Sequence, residues 1–154
     1  MYAEPRNSFT QSRLPDPIRR PDFYAGVTGK RFAAWLVDMV LIGIVCVLLL
    51  PFTAFTGIFF FPLMMLFVGF LYRWGTIAAG SGTWGMRLMG MELREADGHR
   101  LSNATAFAHT LGYTISIAFP ILQAISIVLM LISDRKQGLT DHILGTALLN
   151  RPAV

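Results

Sequence analysis

Apolar residues in this chain fall in long unbroken blocks, not at the three-and-four spacing of a helix that turns one face to water. Residues 32–50 read FAAWLVDMVLIGIVCVLLL, residues 58–72 read IFFFPLMMLFVGFLY, and a third apolar block fills 104–132. The pattern predicts membrane segments over about 30–51, 58–79 and 104–132. The first two are close to the ~20 residues that a spanning helix needs. Pro62 falls in the first turns of the second segment, where a proline is tolerated. The third block has 29 residues, ~43 Å as a straight helix against a hydrocarbon core of ~30 Å. Pro120 near its centre is expected to break it. It is then either one long tilted helix or two shorter ones that enter and return.

The polar stretches set the organisation around these blocks. Residues 1–24, MYAEPRNSFTQSRLPDPIRRPDFY, hold four prolines and are expected to be a disordered cytoplasmic tail. The membrane domain is expected over 25–151. Residues 80–103, GSGTWGMRLMGMELREADGHRLSN, are too polar to span. Trp84, Met86, Leu88 and Met89 fit a short amphipathic piece, MELRE an extended stretch, Asp97-Gly98 a tight turn, and Ser102 or Asn103 a helix cap. Gly85 and Gly90 fit tight turns or a close helix approach. After the third block comes a polar turn at Gly138, then a short helix or extended piece from Thr140 that sets Ile143, Leu144, Ala147 and Leu148 against the membrane or the loop.

Basic residues orient the segments. Arg6, Arg13, Arg19, Arg20, Lys30 and Arg31 precede or open the first block. Arg73, Arg87, Arg94 and Arg100 follow the second, and Arg135, Lys136 and Arg151 follow the third, while the 51–57 turn has none. If every basic stretch is cytoplasmic, the third block enters and returns, and both termini share the cytoplasmic side of an inner membrane.

Composition narrows the class. Of 154 residues, 54% are hydrophobic and only 14% charged, which favours an integral membrane protein over a soluble helical domain. The fold expected is all-α, a small bundle of three to four membrane segments with a short polar cytoplasmic loop. The net charge of +4 sits in flanking anchors, without a nucleic-acid motif. Cys46 alone cannot form an intramolecular disulfide and reads as an apolar packing residue. No Ser/His/Asp, Cys/His or paired-acid spacing points to an enzyme. His99, His109 and His142 match no metal-ligand spacing. No cofactor or metal is expected.

What remains are charges where charges are costly. Asp38 lies about a third of the way into the first block. An acid there opposes insertion by ~2.5–3.5 kcal/mol and calls for a partner or a task. Arg31 is seven residues earlier on nearly the same face, ~10.5 Å away along the axis. The two are expected to share a polar cluster, either an ion or proton site or a structural network. Asp141 is a candidate third member, or else a plain loop acid or helix cap. His109 reads as a hydrogen-bonded interfacial histidine or a proton relay. Arg87, between glycines in GMRLMG, lacks the Lys-Ser/Thr of a phosphate loop.

The segments GKRFAAWLVDMVLI, SGTWGMRLMGMELREADGHRLS and SDRKQGLTDHILGTALLN, in that order, resemble the RDD family of prokaryotic membrane proteins over roughly residues 25–151. The family is named for one arginine and two aspartates, which the resemblance places at Arg31, Asp38 and Asp141. Arg87 and His109 are secondary candidates. One departure stands out: family members often carry an arginine near the start of the third block, where this chain has His109. The resemblance implies a role in transport, such as monovalent cation–proton exchange; a chain of 154 residues encloses little of a pathway alone, so a homo-oligomer or a membrane partner protein is expected. The alternative is a non-catalytic membrane adaptor whose charge cluster is structural. The lipid bilayer is the one partner that both readings require.

Overall fold

Every fourth residue of the first apolar block faces inward. The computed structural model describes residues 12–152. Its first long helix, α1, is Val27–Leu49, and within it Ala34, Asp38, Ile42 and Cys46 are buried. That four-residue step is one stripe of a helix. Phe32, Leu36, Val40, Ile44 and Leu48 are exposed around it, as expected of a surface whose solvent is lipid. α2, Phe61–Gly80, repeats the arrangement with Gly69, Arg73 and Ile77 buried. A Cβ on Gly69 would lie 3.5 Å from Ile42, so α1 and α2 cross closely there. Both helices are long and apolar enough to cross a membrane.

The third block is two helices. α4, Asn103–Ala118, and α5, Pro120–Ile132, meet at 116°. Pro120 offers no N–H and disfavours helix at the residue before it. Phe119 accordingly takes an extended backbone, φ −115° and ψ 99°. The Ser116 hydroxyl donates to Gln123 Oε1 across the break at 2.7 Å.

The polar segments fold more than the all-α expectation allowed. After α2, a short helix α3, Trp84–Leu88, leads into strand β1, Met91–Arg94. Near the C-terminus α6, Leu139–Leu144, leads into β2, Ala147–Asn150. β1 and β2 pair antiparallel, Leu93 opposite Leu148. The described residues are therefore mostly helical with one two-stranded sheet. Met91, Leu93 and Leu148 are fully buried against Val27, Ala34, Ile77 and Ala106, so the loop expected to be merely polar holds part of the core.

Residues 12–24 also depart from the disordered tail expected of them. Arg13 N–H donates to the Ala96 carbonyl, and the Tyr24 hydroxyl to the Pro15 carbonyl. Leu14 and Tyr24 are buried with Ala147 and Leu149, and Phe23 packs against them. Three apolar residues among the prolines suffice to cover one side of the sheet. Residues 1–11 of the expected tail lie outside the described residues.

One end of the molecule collects the chain's returns. Lys30, near the start of α1, bonds Asn150 of β2 at 2.8 Å. Trp74, late in α2, bonds Asn103 at the start of α4 at 3.0 Å. The segment after α5 comes back to the same end.

Candidate functional site: two arginine–aspartate pairs around one cavity

Asp38 is 1% exposed, and its carboxylate is filled with donors. Oδ1 accepts from the Tyr72 hydroxyl at 2.8 Å and the Gly85 N–H at 2.9 Å. Oδ2 accepts from the Thr83 hydroxyl at 2.7 Å and Arg73 Nη1 at 3.3 Å. α1 supplies the acid, α2 the arginine and tyrosine, and the start of α3 the rest. Thr83 also caps α3 by accepting from Met86 N–H. Gly85 is there because nothing larger fits: a Cβ would lie 2.2 Å from the Ala34 carbonyl oxygen. The cost of burying this acid is thus offset by one opposite charge and three neutral donors.

Asp141 has the same number of partners. Its carboxylate accepts from Arg31 Nη2 at 2.5 Å, His109 Nε2 at 2.9 Å, the Thr146 hydroxyl at 2.9 Å and the Gly138 N–H at 3.1 Å. The last bond makes Asp141 the third-position partner of the α6 N-cap, half of a capping box. Burial opposes the charge on Asp141, but Arg31, His109 and the Gly138 N–H outweigh it and hold the carboxyl well below the usual carboxylate range.

Arg31 and Asp38, expected to share a cluster, belong to different pairs. Arg31 pairs with Asp141 and Arg73 with Asp38. Two turns of helix separate Arg31 from Asp38 along α1, and each finds a nearer partner on another element. The three expected charges nevertheless line one cavity of about 460 Å³, together with Arg73 and His109. The cavity exists because α1 packs on α2 and α3, while α4 packs on α2, α5 and α6. Long side chains bridge the gap between α1 and the α4–α6 group: Arg31 to Asp141, and Trp35 Nε1 to the Tyr113 hydroxyl at 2.9 Å. Apolar side chains including Phe32, Trp35, Ile117 and Met130 form much of its wall.

Arg73 is the functional residue that sequence reasoning missed. It follows Tyr72 and precedes Trp74 at the end of an apolar block, the usual place for an interfacial anchor. The signal was its four-residue spacing from Gly69 and Ile77, which puts it on the inward stripe. Its guanidinium also stacks 4.3 Å from the centroid of the Tyr113 ring. Trp74, by contrast, does reach outward to a helix start.

Arg87 lies away from the cavity. Its Nε and Nη2 donate to the Gly82 and Thr76 carbonyls at 3.0 and 2.8 Å, tying α3 to the end of α2. Gly80 leaves room for it, since a Cβ there would lie 2.5 Å from Arg87 Nη2. His99 is exposed beside Asp97. Among the described residues, no three His, Cys, Asp or Glu side chains are placed to hold a metal ion. Three buried polar atoms find no hydrogen-bond partner among the described residues: Arg31 Nε, Arg73 Nη2 and His109 Nδ1. All three belong to residues that line the cavity.

No curated protein and no solved structure matches the chain significantly. The model of the RDD family matches residues 24–145, which include every member of both ion pairs and all the residues that line the cavity. With its two long apolar helices and that match over most of its length, the chain belongs to the RDD family of membrane proteins.

Proposed function

We propose that the protein is transport-related and that the cavity between α1 and the α4–α6 group is its working site. The observation that carries this reading is the convergence of two Arg–Asp pairs, both carboxylates buried, and one histidine on a single cavity. Charged groups at membrane depth are costly and mark ion or proton pathways. The proton is the natural coupled species, since His109 bonds Asp141 through one ring nitrogen and leaves the other unpartnered. Exchange of a monovalent cation at Asp38 would require Arg73 to swing away first, because both carboxylate oxygens already accept two hydrogen bonds. A chain of 154 residues encloses little of a pathway alone, so the reading includes an oligomer. We place the protein in the inner membrane, with the end that holds β1 and β2 in the cytoplasm. The density of basic residues at that end supports the orientation, and the 116° turn supports a re-entrant α4–α5 pair.

The other reading is a non-enzymatic membrane adaptor whose charge pairs only hold the helices together. Its support is the complete donor set around both carboxylates. Flux into proteoliposomes across a panel of monovalent cations, with and without a pH gradient, separates the two. The transport reading predicts flux that Asp38→Asn abolishes while the protein still inserts and folds. Absence of flux from well-folded oligomer for every cation and for protons would leave the adaptor.

A further inference from the structure

The cavity opens sideways, onto the surface that faces lipid. α5 packs on α4 and α6 rather than on α1. Phe32 of α1 and Ile127 of α5 both line the cavity and are 62% and 46% exposed, so its mouth lies between these two helices. Leu36 and Val40 beside Phe32, and Val128 and Leu131 beside Ile127, are exposed as well. Phe32 opens the apolar run 32–50, so the mouth is continuous with a helix face whose solvent is hydrocarbon.

The charged groups along the cavity are engaged elsewhere. Asp38 and Asp141 are 1% exposed, and each of their carboxylate oxygens accepts two hydrogen bonds. Arg31 Nε, Arg73 Nη2 and His109 Nδ1 are enclosed by protein atoms and offer nothing to a guest. The Trp35 N–H donates to the Tyr113 hydroxyl, and the Ser116 hydroxyl donates to Gln123. Most of the surface that faces the space is therefore apolar, with Phe32, Trp35, Ile117, Ile127 and Met130 prominent in it.

Three kinds of content can be weighed for such a space. Water needs about two to four polar partners to be held, and few polar atoms face it. Emptiness forfeits dispersion contacts along the whole wall. A hydrocarbon chain restores those contacts and asks for no hydrogen bond, and the bilayer supplies such chains at the mouth. The volume of about 460 Å³ is in the range of small-molecule pockets, and the flexible Met86 and Met130 side chains suit an irregular guest.

We propose that the cavity takes up one alkyl chain of a bilayer lipid, which enters between Phe32 and Ile127 and lies along Trp35, Tyr113 and Ile117. The chain is recognised by its hydrocarbon and not by its head group. This goes beyond the transport reading and needs no ion to move.

Photo-crosslinking of the full chain in phosphatidylcholine nanodiscs tests it. One probe is a phosphatidylcholine with a diazirine midway along an acyl chain, and the other carries the diazirine on its head group. Labelled positions are read by peptide mass spectrometry. The chain probe should label the inner wall at Trp35, Tyr113 or Ile117, besides the outward residues Phe67, Val128 and Leu131. The head-group probe should leave the inner wall unlabelled. Ile117→Trp fills the cavity, and Ile127→Trp obstructs its mouth from an exposed position where a larger side chain is tolerated. Both should lose the inner labelling and keep the outer. Where Ile117→Trp fails to fold, Ile127→Trp decides. Labelling of outward residues alone in the wild type would overturn the proposal. So would inner labelling by the head-group probe, or inner labelling that persists in folded Ile127→Trp. The crosslinks are read without any gradient, so a protein that moves no cation can pass this test and one that does can fail it.

Discussion

At the scale of single residues, close approach and saturation decide what each position tolerates. Gly85 is the sharpest case, since its missing side chain lets α3 lie on α1 and its N–H reach Asp38. Gly85→Ala should destabilise the protein by about 1–3 kcal/mol, the usual cost of overpacking. Thermal unfolding in a mild detergent would show it. Gly75→Ala, with nothing within 4 Å of the added Cβ, should leave the melting temperature unchanged or slightly raised. The Arg31–Asp141 pair carries a pH signature. The Asp141 carboxyl is depressed in the folded state, so its contribution is fully present above the unfolded value of ~3.9 and lost as pH falls below it. The stability gap between wild type and Asp141→Asn should therefore hold from neutral pH to about pH 5 and narrow below about pH 4. A gap that closes already between neutrality and about pH 5 would contradict the assignment. Arg31, Asp38 and Asp141 were legible in the sequence from the family motifs, and Asp38 also because a charge inside an apolar block is conspicuous. Their pairing was not legible, because each partner comes from a separate element.

At the scale of elements, signals confined to one segment are legible in the sequence and those needing two segments are not. The break in the third block followed from Pro120 alone. The sheet did not, because each strand has four residues and their partners lie more than fifty positions apart, as Leu93 and Leu148 do. The short β1 also looked polar, since Glu92 and Arg94 flank its buried Leu93. The ordered stretch at 12–24 was hidden in the same way, since its apolar residues find their cover only on β2. The turn from α5 into α6 makes a testable joint. Gly138 sits where a Cβ would lie 2.7 Å from Ser126 Oγ and from Met130 Cε, and its N–H binds Asp141. Gly138→Ala should loosen α6 from α5. Amide hydrogen exchange should then show lost protection over 138–146 with the α1–α2 region unchanged. Global loss of protection would mean the joint holds more of the fold than its contacts indicate.

At the scale of the whole molecule, the start of α1, the end of α2, the start of α4 and the β1–β2 sheet share one end. Reporter fusions after residues 100 and 154 should report the same side of the membrane, and opposite sides would make α4–α5 a full crossing. Two separate Arg–Asp pairs close the cavity, Arg73 with Asp38 between α1 and α2, and Arg31 with Asp141 between α1 and α6. Breaking one member of a buried pair typically costs about 3–5 kcal/mol, and removing both relieves much of it. The most direct measurement is a set of double-mutant cycles on unfolding free energy with Asp38→Asn, Asp141→Asn, Arg31→Gln and Arg73→Gln. Coupling of about 0.5–3 kcal/mol is expected for Arg73 with Asp38 and for Arg31 with Asp141, and values within about 0.5 kcal/mol of zero for Arg31 with Asp38. Strong coupling of Arg31 with Asp38, with little between Arg73 and Asp38, would contradict it.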